Sequence, residues 1–166
     1  SLVLAARQAN GQEPWSTNFD LYLVDADGSG KARNLTDAND AWDTGPVFSP
    51  DGRTLAYRAM ARPGFEADKY AIFLRDVQTG QVRQIAANWD RSADSLQWSS
   101  DGNTLYTTAG DVGQTRLFAI DVTSGSVVPL FRRLGLGATL GYLVAGAVVG
   151  PRSDHSDPNW VSATRE

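Results

Sequence analysis

Carboxylates are the side chains of this chain whose spacing could do chemistry. Asp25-Ala26-Asp27-Gly28-Ser29-Gly30 places oxygen ligands at alternate positions with glycine sixth, as a calcium-binding loop begins. The pattern then fails, because Thr36 stands at position twelve, where a bidentate Glu is required, and Arg33 at position nine. The segment is therefore expected to be a hairpin turn, and no metal or other cofactor is expected. Asp51 and Asp101 could pass for an acid–base pair, but each lies in the same short turn motif, where an Asp side chain accepts from nearby backbone N–H groups. His155, the single histidine, lies in the polar stretch Asp154-His155-Ser156-Asp157-Pro158. No Gly-x-Ser-x-Gly nucleophile elbow occurs, so the expected set of catalytic residues is empty. With no cysteine, disulfides and thiolate metal sites are excluded, while the compartment, periplasmic or cytoplasmic, stays open.

The elements that carry these turns repeat. Phe48-Ser49-Pro50-Asp51-Gly52-Arg53-Thr54-Leu55 is matched fifty residues later by Trp98-Ser99-Ser100-Asp101-Gly102-Asn103-Thr104-Leu105. At the same offset Asn34-Leu35-Thr36 stands opposite Gln84-Ile85-Ala86, Leu23-Val24-Asp25 lies near Leu74-Arg75-Asp76, and Phe118-Ala119-Ile120-Asp121 opens a partial third copy. Asp-Gly supplies the positive-φ residue of a tight hairpin, and β-branched and aromatic residues flank it. A four-stranded sheet of this length cannot bury both faces alone, so repeats of roughly 40–50 residues imply blades of a β-propeller. One blade is predicted over Val47–Ser49, Thr54–Arg58, Tyr70–Asp76 and Val82–Ala86. The next is predicted over Leu96–Ser99, Thr104–Thr108, Leu117–Asp121 and Val127–Leu130, with outer turns at Thr79-Gly80 and Ser124-Gly125. Leu2-Val3-Leu4-Ala5-Ala6 aligns with the strand from Leu55 to Ala59, so the chain is expected to begin just after a Ser-Pro-Asp-Gly turn. The fold class is all-β, a partial propeller of about two and a half four-stranded blades over residues 1–130.

Composition fits a strand-rich body, with 42% hydrophobic residues and five Trp and a mean hydropathy of −0.31. Net charge is −4, and no basic run exceeds Arg132-Arg133, which argues against a nucleic-acid partner. Trp15 and Phe19, and separately Trp42 and Phe65, stand in polar stretches between strands, either as binding aromatics on loops or as packing between blades.

Glu13-Pro14-Trp15-Ser16-Thr17-Asn18-Phe19-Asp20-Leu21-Tyr22, Ala41-Trp42-Asp43-Thr44 and Arg62-Pro63-Gly64-Phe65-Glu66-Ala67-Asp68, together with Asn34-Leu35-Thr36 and the Ser-Pro-Asp-Gly turn, resemble the propeller of the prolyl oligopeptidase family of serine peptidases, in particular its dipeptidyl peptidase V and acylaminoacyl peptidase branch. The resemblance covers residues 2–130. It implies a propeller that covers an α/β-hydrolase domain and gates peptide entry, with the catalytic triad in that other domain. It also implies an acidic residue for the substrate's N-terminal ammonium, for which Glu13 beside Trp15 is the candidate. The Ser-Pro-Asp-Gly turn is shared with TolB-like propellers, so a protein-interaction propeller is the alternative.

Residues 128–151 depart from the repeat and are similar to a transmembrane segment of monovalent cation:proton antiporters of the glutathione-regulated potassium efflux type. Leu134 to Gly150 is an uncharged run, about 25 Å as a helix and at the short limit for a bilayer. Gly137, Gly141 and Ala145 carry the small-residue spacing of membrane helix contacts. The same residues fit a buried helix or a hairpin turning at Gly141. The expected domains are thus the propeller (1–130), an apolar Gly-rich helix or hairpin (131–151) and a polar tail (152–166). A junction of two unrelated genes, giving a membrane-anchored fragment, is a third reading. Open blade edges predict self-association.

Overall fold

The computed structural model describes residues 1–7 and 16–130. Among these residues there are eleven strands: β1 (Leu2–Ala6), β2 (Asp20–Val24), β3 (Arg33–Asn34), β4 (Asp43–Phe48), β5 (Thr54–Ala59), β6 (Ala71–Asp76), β7 (Val82–Ile85), β8 (Gln97–Trp98), β9 (Thr104–Asp111), β10 (Gln114–Asp121) and β11 (Val127–Pro129). They form three antiparallel sheets in the orders β1-β2-β3, β4-β5-β6-β7 and β11-β10-β9-β8. Every neighbour in a sheet is its neighbour in sequence, the meander of a propeller blade. The partial propeller expected from the repeat is therefore the fold. Blade one contributes three strands, and β1 pairs with β2 as β5 pairs with β6.

The two Asp-Gly turns are the same object built twice. Ser49 Oγ donates to Asp51 Oδ1 at 2.6 Å, the Arg53 N–H donates to the same oxygen at 3.0 Å, and the Thr54 N–H donates to Ser49 Oγ at 2.9 Å. Ser99, Asp101, Asn103 and Thr104 repeat these bonds at 2.6, 3.0 and 2.9 Å. Gly52 and Gly102 take φ of 71° and 72°, which a side chain would strain. The outer hairpins repeat as faithfully. Asp76 Oδ1 accepts from the N–H groups of Gln78 and Thr79, and Asp121 Oδ1 from those of Thr123 and Ser124. Asp25-Ala26-Asp27-Gly28 is the corresponding turn of blade one, closed by the Gly28 N–H on Asp25 O at 3.0 Å, so the calcium-loop look-alike is a hairpin turn.

Blade two is buried on both faces, and alternate residues of β5 serve different neighbours. Leu55, Tyr57 and Ala59 pack with Leu21 and Leu35 of blade one, together with Val3, Leu23 and Phe73. Ala56 turns the other way and joins Ile72, Leu74 and Ile85 against Ala93, Leu96, Trp98, Leu105 and Ile120 of blade three. Burial of a side chain such as Leu55 or Ile120 stabilises the body by about 1.5–3 kcal/mol.

Three strand ranges differ from expectation by three residues or more. β4 begins at Asp43 rather than Val47, because the Gly45-Pro46 pair is absorbed as an irregularity between Thr44 and Val47. Gly45 has φ +61°, and a Cβ there would stand 2.9 Å from Arg58 Nε. β9 and β10 extend beyond Thr108 and before Leu117 to meet at the two-residue tip Val112-Gly113. Gly113, at φ +75°, completes that two-residue turn. Val128 and Pro129 of the antiporter-like stretch belong to strand β11. The rest of that stretch, the expected helix or hairpin over 131–151, the tail with His155, and the expected binding pair Glu13 and Trp15 lie outside the described residues. Among the described residues no helix is long and apolar enough to cross a membrane.

Candidate functional site: the groove between blades one and two

Strand direction sorts the connections to two faces. The Asp-Gly turns and outer hairpins share one face. The connections 36–42, 60–70 and 86–96 share the other with the Val112-Gly113 tip. On this second face, Arg62 and Asp68 clamp the loop between β5 and β6. Asp68 Oδ2 accepts from the N–H groups of Ala61 and Arg62 at 3.0 and 2.9 Å, and Oδ1 pairs with Arg62 Nη2 at 2.9 Å. The Arg62 side-chain bond, followed by those backbone donors, holds the Asp68 carboxyl down at about 2. The Arg62 guanidinium covers the Phe65 ring at 4.0 Å, and the Gly64 N–H donates to Thr17 Oγ1 at 2.8 Å, tying the loop to blade one. Phe19 and Trp42 stack at 4.6 Å across the blade boundary, so these two aromatics pack between blades, whereas Phe65 stays 43% exposed on its loop.

Beside this loop a cavity of about 570 Å³ opens between blades one and two. Its floor is a polar cluster. Asp43, wholly buried at the start of β4, is anchored by its own N–H on Phe19 O at 2.8 Å. Asn39 Nδ2 donates to Asp43 Oδ1 at 2.8 Å and to Met60 O at 3.1 Å, which fixes the carboxyl's orientation. Asp43 Oδ2 has no hydrogen-bond partner. Thr36 Oγ1 accepts the Leu21 N–H at 3.0 Å and donates to Asp20 Oδ1 at 3.5 Å. Asp20 in turn accepts from Asn34 Nδ2 at 2.8 Å and from the Tyr22 hydroxyl at 3.3 Å. Burial pushes the Asp43 carboxyl up to about 7, opposed by the Asn39 hydrogen bond and by the nearby Thr36 hydroxyl, with the Asp20 carboxylate adding to the rise. Burial and the Asp43 carboxylate likewise push the Tyr57 phenol up to about 12. Tyr57 and Phe73, stacked at 5.7 Å, line the groove.

The junction between blades two and three shows what the floor replaces. Fifty residues on, Thr36, Asn39 and Asp43 correspond to Ala86, Trp89 and Ala93. Trp89 fills that junction, edge-on to Phe118 at 5.1 Å, and Ala93 is wholly buried with its N–H on Tyr70 O at 3.2 Å. Trp98 Nε1 donates to Val47 O at 3.1 Å, and Arg58 Nη1 to Ala93 O at 2.9 Å. Asp43, Asn39 and Thr36 were not among the predicted site residues. The signal for them was in the repeat, as the positions where one copy is polar and the other is not. Among the described residues no cluster of three His, Cys, Asp or Glu side chains could hold a metal.

No family model matches the chain. The chain is 31% identical over 128 residues to dipeptidyl-peptidase 5 of Porphyromonas gingivalis, covering 76% of this chain and 19% of that protein. It is 38% identical over 109 residues to dipeptidyl-peptidase 5 of Trichophyton schoenleinii, covering 60% of this chain and 15% of that one. It therefore spans less than a fifth of the length of these relatives. Among solved structures, TolB from Acinetobacter baumannii superposes with a TM-score of 0.57 at 22% identity over 71% of this chain and 28% of TolB. TolB from Agrobacterium tumefaciens superposes at 0.56 and 23% identity, over 68% and 37% of the two chains. The chain is a partial β-propeller with TolB-like architecture whose sequence homologues include dipeptidyl-peptidase 5 proteins.

Proposed function

We propose that these blades are part of the propeller of a serine peptidase of the dipeptidyl or acylaminoacyl type, where they gate peptide access to a separate α/β-hydrolase domain. The observation that carries this reading is the match to dipeptidyl-peptidase 5 over 128 residues, 76% of this chain. The chemistry of the blades supports a non-catalytic part in it. The turn carboxylates Asp51, Asp76, Asp101 and Asp121 are each held below the usual range by hydroxyl and N–H donors of their own turns, so they are committed to structure. The Arg62–Asp68 loop, clamped on both sides and resting on Thr17, is suited to be a fixed rim rather than a mobile lid.

Glu13 and Trp15 are proposed to receive the N-terminal ammonium of the peptide. They precede in sequence the segment Ser16-Thr17-Asn18 that meets this rim through Thr17. Replacing the matching segment of Porphyromonas gingivalis dipeptidyl-peptidase 5 with residues 1–130 tests both ideas. Cleavage of short peptides with exclusion of long ones is expected, and Glu13→Gln in that hybrid should raise KM for dipeptide substrates. Equal cleavage of long and short peptides would refute the gating role, and an unchanged KM would refute the role of Glu13. Self-association through the blade edges is proposed as well, and sedimentation of a stable monomer at high concentration would contradict it. Membrane attachment through residues 134–150 predicts that the chain resists extraction at alkaline pH, and release under those conditions would remove it.

A further inference from the structure

We propose that the groove between blades one and two is a binding site for a small organic ammonium carrying an apolar or aromatic body. Three independent features point to that class. Asp43 lines the cavity and is wholly buried, and its Oδ2 lacks a partner while Asn39 holds Oδ1 in place, so one oriented acceptor lies just beneath the cavity floor. A buried acceptor without a donor is costly, and a cationic donor offsets that cost best. Two cations also line the groove, but both are directed away from its floor: Lys69 Nζ donates to Trp89 O at 2.8 Å, and the Arg75 guanidinium lies toward the outer turn, 3.1 Å from where a Gly80 Cβ would stand. The walls are the stacked Tyr57–Phe73 pair with Met60 and Val82, surfaces that suit a hydrocarbon or ring and, at the ring faces, a cation.

The volume of about 570 Å³ falls within the range of small-ligand sites. The groove is also not a by-product of propeller geometry, since Ala93 and Trp89 stand at the equivalent positions of the next junction. The inference stands independently of the peptidase reading, because it concerns a site inside the blades.

The test is calorimetric titration of the 166-residue chain with benzylammonium, benzyl alcohol and phenylacetate at pH 8, alongside Asp43→Asn and Asn39→Trp, the latter copying Trp89. Saturable benzylammonium binding is expected, at least tenfold tighter than the alcohol or the acid. Asp43→Asn should weaken it at least tenfold and Asn39→Trp should abolish it, with circular dichroism confirming that each variant folds. The ligand series on the unaltered chain decides the matter even if a variant does not fold. No saturable binding, equal binding of amine and alcohol, or unchanged binding to folded Asp43→Asn would each overturn the site.

Discussion

The two blade junctions share one backbone plan and are finished with opposite chemistry. Between blades two and three, Ala86, Trp89 and Ala93 complete an apolar seam with Trp98, Leu105 and Ile120. Between blades one and two, the matching Thr36, Asn39 and Asp43 form a hydrogen-bonded floor under an open groove. The anchoring backbone bond is the same in both, from Asp43 N–H to Phe19 O and from Ala93 N–H to Tyr70 O. Blade docking therefore tolerates either filling. The polar one leaves a buried carboxyl that docking alone does not require, which is why the groove rather than the seam is read as functional.

The comparison can be broken most forcefully by exchanging its halves. Ala93→Asp places a carboxyl in the seam without an Asn39 or Thr36 to receive it, and a loss of about 3–5 kcal/mol is expected in denaturant unfolding. A loss under 1 kcal/mol would show that the seam is as permissive as the groove. Trp89→Ala removes the plug and its contact with Phe118. Because the indole is half-buried, about 2–3 kcal/mol is expected, short of the cost at a fully enclosed site.

The pH dependence sharpens the same contrast. Because the folded Asp43 carboxyl is raised to about 7, the folded chain holds a proton that the unfolded chain releases near 4. Between those values the folded state binds more protons, so stability falls as pH rises. The wild-type chain is expected to lose on the order of 2 kcal/mol between pH 4.5 and 8 relative to Asp43→Asn. Parallel unfolding midpoints for the two would contradict this. The turn carboxylates slope the other way, since their lowered values contribute stability that is lost only as pH falls below about 4.

The smallest expected effect lies away from both junctions. Val112, 87% exposed, takes φ +49° at the β9–β10 tip, a conformation that a β-branched side chain resists. Val112→Asn should stabilise the chain by about 0.5–1 kcal/mol, and a lower thermal midpoint would count against the strain.

Much of the fold was legible because the fifty-residue offset fixes strands and turns together. Asp51 and Asp101 announce their hairpins in three adjacent letters, and the structure repeats even their bond lengths. The first residues of β4 were harder to read, since Gly and Pro are weak strand formers and only the Arg58 guanidinium packed against Gly45 shows how the strand runs through them. The groove was less legible. Asp43 appeared within an aromatic motif, and burial, an oriented Asn39 and a missing partner for Oδ2 are properties of three segments that meet only in the fold. Phe19 and Trp42 were ambiguous for the same reason, until their stacking resolved them as packing.

The most direct test of this account is a carbon-detected NMR titration of the Asp43 carboxyl with Asp51 and Asp101 as internal references. The account expects Asp43 to titrate at about 7, with both turn carboxylates below the usual aspartate range. An Asp43 midpoint near 4, together with the others, would mean that its carboxyl is solvated and that the two junctions do not differ in the way described.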